Sequence, residues 1–210
     1  MPHLSWEDDN VAERWTRQRR VEHTRNLLLD AAEEVVARDG FGAAALEVIA
    51  DAAGYTRGAI YSHFGTKEEL FLAVMERQLQ RFLDGFNDIV DSFETLGDFD
   101  ADKLSQRWRE LTIGAPNRAA LGFEFTLFLL RNPEARARVA VQRQETVRSL
   151  ADYIDAHLEK IGGRLRVPSD TLAKVLIATN EGVTLASHID GEDLYGPFLG
   201  MVMSHVEPLD

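Results

Sequence analysis

Residues 46–72 constrain the fold more than any other stretch of the chain, because they predict two short helices, a tight turn and the start of a third helix. Leu46, Ile49 and Ala53 lie on one face of the first helix. Gly54 follows, at the position where a left-handed residue commonly ends a helix. The segment therefore predicts a compact pair of helices that shares one apolar contact surface.

The second short helix of this pair has one apolar face and one polar face. Thr56 precedes it and is expected to cap it through the hydroxyl group. Ile60 and Phe64 are four residues apart and face the first helix. At 100° per residue, the opposite side or its flank carries Arg57, Gly58, Tyr61 and Ser62. This is the helix-turn-helix pattern, in which the second helix enters the DNA major groove.

The same segment resembles the TetR family of bacterial transcription regulators. The residues that carry the resemblance are Ile49-Ala50, Ala53-Gly54, Thr56-Arg57-Gly58, Ile60-Tyr61, His63-Phe64 and Lys67-Glu68-Glu69-Leu70. The match is strong over the first third of the chain, and beyond it only the all-helical layout and the chain length resemble the family. The resemblance implies a DNA-binding domain followed by a domain that binds a small effector and forms a dimer.

We therefore expect an all-α protein with three parts. Residues 1–13 are acidic and polar without helical period, and are predicted to form a disordered arm. Residues 14–66 are predicted to be the helix-turn-helix DNA-binding domain, and residues 67–210 the larger helical effector-binding and dimerisation domain. A long helix from Lys67 to about Phe93 joins the two without a Pro/Gly/Ser linker, so they are expected to move as coupled bodies.

Charge is distributed unevenly along the chain. The net charge of −12 argues against binding nucleic acid over the whole surface. Between residues 14 and 25, however, five arginines stand against one glutamate. This cluster places Arg17 and Arg20 at the start of the first helix, where they can reach phosphates. A solvated basic face is the alternative interpretation.

Within the second short helix, Arg57 is the expected base reader, because a guanidinium fits O6 and N7 of guanine. A glycine inside a helix lowers helix stability by about 1 kcal/mol relative to alanine. Close approach of the backbone to DNA would explain why Gly58 is there. The resemblance implies phosphate contacts by Tyr61, His63 and Lys67, with packing as the alternative for the first two. The predicted DNA contacts are Arg17, Arg20, Thr56, Arg57, Gly58, Tyr61, Ser62, His63 and Lys67.

Helix capping near this motif is uneven. Residues 43–45 are three alanines where the family usually carries Thr or Ser, and the missing cap costs about 1 kcal/mol. Thr66 and Glu69 are predicted to form a capping box at the start of the long helix. Tyr55 is bulkier than the usual family residue at this position. It either contacts thymine methyl groups or only packs within the protein.

Aromatic residues of the larger domain suggest where an effector binds. The predicted ligand-binding residues are Phe86, Phe93, Trp108, Phe123, Glu124 and Phe128. The aromatic members favour an apolar or aromatic effector, although an aromatic core shows the same pattern. Residues 117–131 are apolar nearly all round, which predicts a buried helix. The carboxylate inside this run is expected either to face the pocket or to pair with an arginine such as Arg118.

The remaining helices are predicted over residues 103–113, 133–161, 171–189 and 194–206. The last two are too apolar for a chain end, and the resemblance implies that they form a homodimer interface; packing within one chain is the alternative.

Residues 84–102 are rich in aspartate but lack the glycine and the distal glutamate of a calcium loop. We interpret them as a solvated acidic surface.

Several function classes are disfavoured. The chain has no cysteine, and no HExxH, P-loop, GxSxG or dinucleotide motif occurs, so no enzyme activity, metal or cofactor is predicted. The lack of a signal segment and of an 18-residue apolar run predicts a cytoplasmic protein without a membrane partner.

The predicted function is a homodimeric repressor that a small apolar or aromatic effector releases from an inverted-repeat operator. A ligand-promoted repressor or an activator is the first alternative. A helical carrier or enzyme for hydrophobic ligands that does not use DNA is the second.

Overall fold

The computed structural model describes residues 16–98, 100–113 and 118–209, apart from the side chains of residues 101, 113 and 118. Within these ranges the regular secondary structure is helical except for two three-residue strands. The elements are α1 (Arg17–Ala43), α2 (Leu46–Ala52), α3 (Arg57–Phe64), α4 (Lys67–Val90), a 3-10 turn (Leu96–Asp98), α5 (Ala101–Ile113), α6 (Arg118–Arg131), α7 (Pro133–Lys160), β1 (Gly163–Leu165), α8 (Ser169–Asp190), α9 (Tyr195–Met203) and β2 (Val206–Pro208). The predicted all-α class is confirmed, and the predicted N-terminal arm lies outside the described residues.

Helices α1–α3, which we call the head, are shaped by their caps. Gly40 has φ 80° and ψ 155°, so it breaks α1 near the predicted end and leaves one further turn. Ala45 begins α2 without a side-chain cap, as predicted. Thr56 occupies the N-cap position of α3 with extended backbone angles, but its hydroxyl makes no capping hydrogen bond. The predicted Thr56 cap is therefore wrong, and the first turn of α3 has no side-chain cap.

The C-terminal region differs from the sequence-based expectation. Residues 164–168 are predicted to be a loop, and the last helix is predicted to reach Val206. Instead, β1 pairs with β2 in antiparallel register, with Leu165 opposite Val206, and α9 ends at Met203. Glu207 accepts hydrogen bonds from Arg164 at 2.8 Å and Arg166 at 2.9 Å. This pairing was not predictable locally, because it joins segments about 40 residues apart.

The described residues form two hydrophobic cores. The head core contains residues of α1–α3 together with Phe71 of α4 and with Leu121 and Phe128 of α6. The second core joins the distal part of α4 to α5, α7, α8 and α9. We call α4–α9 the body. A domain boundary at residue 66 thus passes through the head core, because α4 and α6 supply part of it.

Ion pairs also fix the head on α4. Arg77 donates to Asp30 at 2.7 Å and to Glu33 at 2.8 Å, and its side chain is only 16% exposed. Arg81 adds a second contact to Glu33 at 3.2 Å. The expected rigid connection between the two parts therefore has a physical basis in α1 and α4.

Helix α6 is not buried all round, contrary to the prediction. Leu127 is 43% exposed and Leu130 is 64% exposed, whereas Leu121 and Phe128 are buried. One face of α6 packs on the head core and another faces solvent. Its apolar composition therefore predicted more burial than the structure shows.

Candidate nucleic-acid interface and effector cavity

Helix α3 has one anchored face and one free face. Ile60 is completely buried in the head core. Arg57, Gly58, Tyr61 and Ser62 are exposed on the other side, in the arrangement that the helical spacing predicts. Because Ile60 anchors this eight-residue helix, its exposed side chains can contact a partner without disturbing the packing of the head core.

Arg57 is positioned by two neighbours. It forms an ion pair with Glu47 of α2, and its Nη2 donates to the hydroxyl oxygen of Tyr61 at 2.6 Å. Its Cζ also lies 5.2 Å from the centre of the Tyr61 ring. The Tyr61 hydrogen bond and the Glu47 charge raise the pKa of Arg57 above its ordinary value. The guanidinium must exchange these partners to read a base.

Gly58 has no intramolecular reason to lack a side chain. A Cβ placed on it would meet only Thr56 Oγ1, at an ordinary distance of 3.6 Å. Its backbone lies within regular helix rather than in the left-handed region. The space that glycine leaves open faces outward, which fits close approach of another molecule.

Two of the predicted DNA contacts, Lys67 and His63, lie partly inside the protein. Lys67 is half-buried, with Nζ 3.4 Å from the carbonyl oxygen of Gly42 and 4.8 Å from the centre of the Phe41 ring. Desolvation lowers the pKa of Lys67. His63 is also half-buried and lines a cavity on the body side of α3. Thr56, by contrast, is exposed, and its hydroxyl oxygen lies beside the open side of Gly58.

The basic start of α1 divides into two parts. Arg17 and Arg20 are exposed in the first turns, where Thr16 accepts a capping hydrogen bond from the Arg19 N–H at 3.2 Å. Arg25 instead turns inward, with Cζ 4.7 Å from the centre of the Phe64 ring. One arginine of the basic cluster is therefore part of the protein interior rather than of an outer basic face.

The structure also answers the question that the sequence left open for Tyr55. This side chain packs on the head core, and its hydroxyl oxygen accepts a hydrogen bond from Thr24 at 3.1 Å. Tyr55 therefore packs inside the head rather than pointing away from it.

A cavity of about 900 Å³ lies between the head and the body. Its walls come from α4, α5, α6, α7 and α8, and Arg25, His63 and Phe64 close it on the head side. The lining is largely apolar, with leucines and phenylalanines from α4 and α6. A volume of this size matches sites for drug-sized molecules.

The predicted aromatic ligand set does not form one pocket. Phe123 lines the cavity, but Phe86 and Trp108 meet edge to face at 5.7 Å within the second core. Phe93 packs against that core, whereas Phe128 lies in the head core, 4.8 Å from Phe41. The five positions between Phe123 and Phe128 turn a helix by 500°, so the two rings leave α6 on different sides.

Glu124 does not face the cavity, and its other predicted role, pairing with an arginine such as Arg118, involves a side chain outside the described residues. Its Oε2 accepts a hydrogen bond from the backbone N–H of Phe41 at 2.9 Å, at the end of α1. It is therefore absent from the cavity wall and reaches the head instead. A backbone partner 83 residues away leaves no signal in the local sequence.

The predicted capping box at α4 is half formed. Thr66 accepts a hydrogen bond from the Glu69 N–H at 3.0 Å. The Glu69 carboxylate, however, accepts from Arg138 of α7 at 2.6 and 3.2 Å instead of returning to the cap. That contact lowers the pKa of Glu69 and closes one side of the cavity.

Helix α8 carries an exposed stripe of small and apolar residues. The stripe consists of Val175, Ala178, Gly182, Leu185 and Ile189. Val175 is 54% exposed and Ile189 is 72% exposed. Spacings of three and four residues align these positions on one face, so α8 presents a continuous apolar surface outside the body.

Two histidines of the body, His157 and His188, have contacts within the chain. No group of three His, Cys, Asp or Glu residues is arranged in the described ranges to hold a metal ion. His157 is buried beside Asp91, while His188 contacts the carbonyl oxygen of Thr184. In the same ranges, no helix combines the length and the apolar character needed to cross a bilayer.

Comparison with known proteins identifies relatives of the head and of the whole fold. Residues 28–74 match the sequence profile described as bacterial regulatory proteins, tetR family. The transcriptional activator FasR of Mycolicibacterium smegmatis is 43% identical over 61 residues, which are 29% of this chain and 28% of FasR. The nicotine-responsive transcriptional repressor HdnoR of Paenarthrobacter nicotinovorans is 26% identical over 173 residues, covering 80% of this chain and 86% of HdnoR.

Solved structures extend the similarity across both cores. GusR of Salmonella enterica aligns with a TM-score of 0.68 at 24% identity, covering 90% of this chain and 96% of GusR. The matching proteins are transcriptional regulators rather than enzymes. The profile match includes α2, α3 and the first turns of α4, where the resemblance in the sequence is strongest. Residues 28–74 therefore match the TetR family of bacterial regulatory proteins, and the fold of the described residues is similar to that of a TetR-family regulator of known structure.

Proposed function

We propose that the protein is a homodimeric repressor that binds an inverted-repeat operator in the cytoplasm and releases it when a small, largely apolar effector enters the cavity. The observation that carries this proposal is the free face of α3. Arg57, Tyr61 and the open backbone at Gly58 lie there together, opposite the buried Ile60. Such a face fits the major groove.

Each exposed group has a distinct role in the proposed complex. Arg57 reads a base through its guanidinium fork, after exchanging Glu47 for DNA. Tyr61, Ser62 and the first turn of α3 contact phosphates, since the turn has no side-chain cap. Arg17 and Arg20 add phosphate contacts from the start of α1.

Lys67, Thr56 and His63 have weaker positions in this proposal. Lys67 reaches phosphate only by leaving the carbonyl oxygen of Gly42. Thr56 lies at the edge of the free face, next to Gly58, and supplies a hydroxyl group to the backbone of DNA. His63 belongs to the cavity wall, so we assign it no DNA contact.

Dimerisation uses the exposed stripe of α8 together with α9. The stripe is apolar and continuous, and its small residues Ala178 and Gly182 allow two helices to approach closely. Met201 of α9 is 60% exposed and extends the apolar surface. Two heads joined in this way must reach half-sites about 34–36 Å apart, one turn of DNA.

Release follows from the position of the cavity. A ligand that spreads its walls displaces α4 and α6, and both helices are fixed to the head through Arg77 and Glu124. A 100-fold loss of operator affinity requires about 2.7 kcal/mol of difference in ligand affinity between the two states. Activation of transcription is the alternative to repression, because the similar protein FasR is named an activator.

Selection of genomic fragments at low salt tests the proposal. The wild-type protein is expected to recover fragments that share an inverted repeat, whereas Arg57→Ala recovers fragments with a weaker consensus. Recovery of unrelated fragments by the wild-type protein would contradict sequence-specific binding. Genes that flank the recovered repeat then show whether the site overlaps a promoter, as repression requires.

A further inference from the structure

Gln78 of α4 lies on the cavity wall without a hydrogen-bonding partner. The residue is 8% exposed, and both Nε2 and Oε1 are buried without a partner among the residues that the structure describes. Buried amides are normally paired, and an unpaired one lowers the stability of the folded state. The position therefore calls for an explanation beyond the fold.

Several other polar groups around the cavity have partners. Asn180 accepts a hydrogen bond from Trp108 at 2.8 Å, and Thr184 shares a contact of 2.9 Å with the hydroxyl of Tyr195. Arg138 is paired with Glu69, as described above. Among the cavity-lining residues that the structure describes, Gln78 lacks a partner at both ends of its amide, and the one other buried side-chain atom without a partner is Nη1 of Arg25.

We propose that Gln78 is the hydrogen-bonding contact of the effector, and that the effector is a neutral, largely apolar ring compound with a lactam or carboxamide edge. This inference rests on the proposed function, in which the cavity is the effector site. A lactam edge presents one donor next to one acceptor. It therefore pairs with Oε1 and Nε2 of one glutamine at the same time.

Charged alternatives fit the same wall less well. A carboxylate offers only acceptors, so it leaves Oε1 unpaired and places negative charge beside it. A cation offers only donors, and Arg25 already places positive charge on the head side of the cavity, where its Nη1 is buried without a hydrogen-bonding partner among the described residues. The apolar body of a neutral ring compound fits the surrounding side chains of Leu79, Phe82 and Phe123.

The test compares phenanthridin-6(5H)-one, a three-ring lactam, with its N-methyl derivative, which has the same acceptor but no donor. Binding to the DNA-free, full-length protein is measured by titration and by the shift in Tm. We expect the lactam to bind at least about tenfold more tightly than the N-methyl compound, because the latter leaves Oε1 unpaired.

Substitution of Gln78 provides the decisive variant. Gln78→Leu removes the unpaired amide and retains the volume, so the ligand-free protein is expected to gain about 2–4 °C in Tm while it loses the preference for the lactam. Gln78→Met serves as a second variant if leucine packs poorly. Gln142→Leu, at an exposed glutamine on the same cavity wall, is the matched control and keeps the preference.

Three results would overturn the inference: equal binding of the two compounds, no binding of either, or a Gln78→Leu variant that retains the preference. The assay contains no DNA, so these results leave the proposed regulator function standing. Conversely, a failed fragment selection contradicts DNA recognition without changing the measured preference for the lactam.

Discussion

The backbone N–H of Phe41 donates a hydrogen bond to Oε2 of Glu124 across 2.9 Å, which joins the end of α1 to α6. The residues on either side of this glutamate in sequence, Phe123 and Phe125, line the cavity. A single turn of α6 thus touches both the cavity and the head. Movement of that turn changes the contact with Phe41 directly, in addition to any motion of α4.

Removal of the Glu124 carboxylate is expected to weaken this link. Glu124→Ala leaves the Phe41 N–H without its acceptor, which destabilises the protein by about 1–3 kcal/mol. Glu124→Gln keeps an acceptor oxygen and loses less. Urea unfolding measures both changes. The link has no structural importance if alanine and glutamine variants unfold at the same urea concentration as the wild type.

Gly40 is expected to tolerate no side chain, for two reasons. Its φ of 80° disfavours all L residues, and a Cβ would lie 3.2 Å from Oε1 of Glu124. Gly40→Ala should therefore destabilise the protein by about 1–3 kcal/mol. Gly42→Ala is the matched control, since a Cβ there meets nothing within 4 Å.

A double-mutant cycle separates the two reasons at Gly40. In the Glu124→Ala background the steric part of the penalty disappears, and only the backbone part remains. Additive effects of the two substitutions would contradict the contact between this glycine and the carboxylate.

Release of Arg57 from its ion pair is expected to strengthen DNA binding. Glu47→Gln removes the charge that holds the guanidinium and should raise operator affinity several-fold. Asp51→Asn, at another exposed carboxylate of α2, removes the same charge without a contact to Arg57, and controls for the general electrostatic effect. Fluorescence anisotropy with operator and scrambled duplexes measures both. A larger gain for Asp51→Asn than for Glu47→Gln contradicts the proposed exchange of partners.

A charge placed on the α8 stripe is expected to separate the dimer. Leu185→Glu buries a carboxylate in the proposed apolar interface, which is strongly unfavourable, and the lost second half-site should reduce operator affinity more than about tenfold. Leu130→Glu, at a leucine of α6 that is 64% exposed, is the control. Sedimentation equilibrium gives the mass. A wild-type protein that is monomeric at micromolar concentration, or a Leu185→Glu dimer of unchanged affinity, contradicts this interface.

The parts of the fold that were predictable from the sequence are those set by near neighbours. The spacing of Ile60 and Phe64, and the glycines that end helices, fix the helix-turn-helix within a few residues of chain. Asn132 likewise caps α7 by accepting from the Ala135 N–H at 3.1 Å, the contact that an asparagine directly before a helix commonly makes.

The site residues that escaped prediction depend on distant partners. Glu124 finds a backbone N–H in another helix, and the separation of Phe123 from Phe128 depends on the angle at which α6 meets the head. Gln78 could not be singled out from the sequence, because an unpaired buried amide is recognised only when the positions of all neighbouring groups are known. The apolar composition of α6 also led to a wrong prediction of burial for Leu130, since an apolar helix does not need to be buried on every side.

Cleavage of operator DNA by an iron chelate tethered to the protein tests the central claim most directly. The chain contains no cysteine, so Ser62→Cys creates a unique attachment site on the exposed face of α3. We expect two groups of cuts, symmetric about the centre of the operator and about 34–36 Å apart. The same chelate at Thr95→Cys, on the body, should give no localised cuts. Diffuse or absent cleavage from position 62, or equal cleavage from position 95, would contradict an α3 helix lying in each of two half-sites.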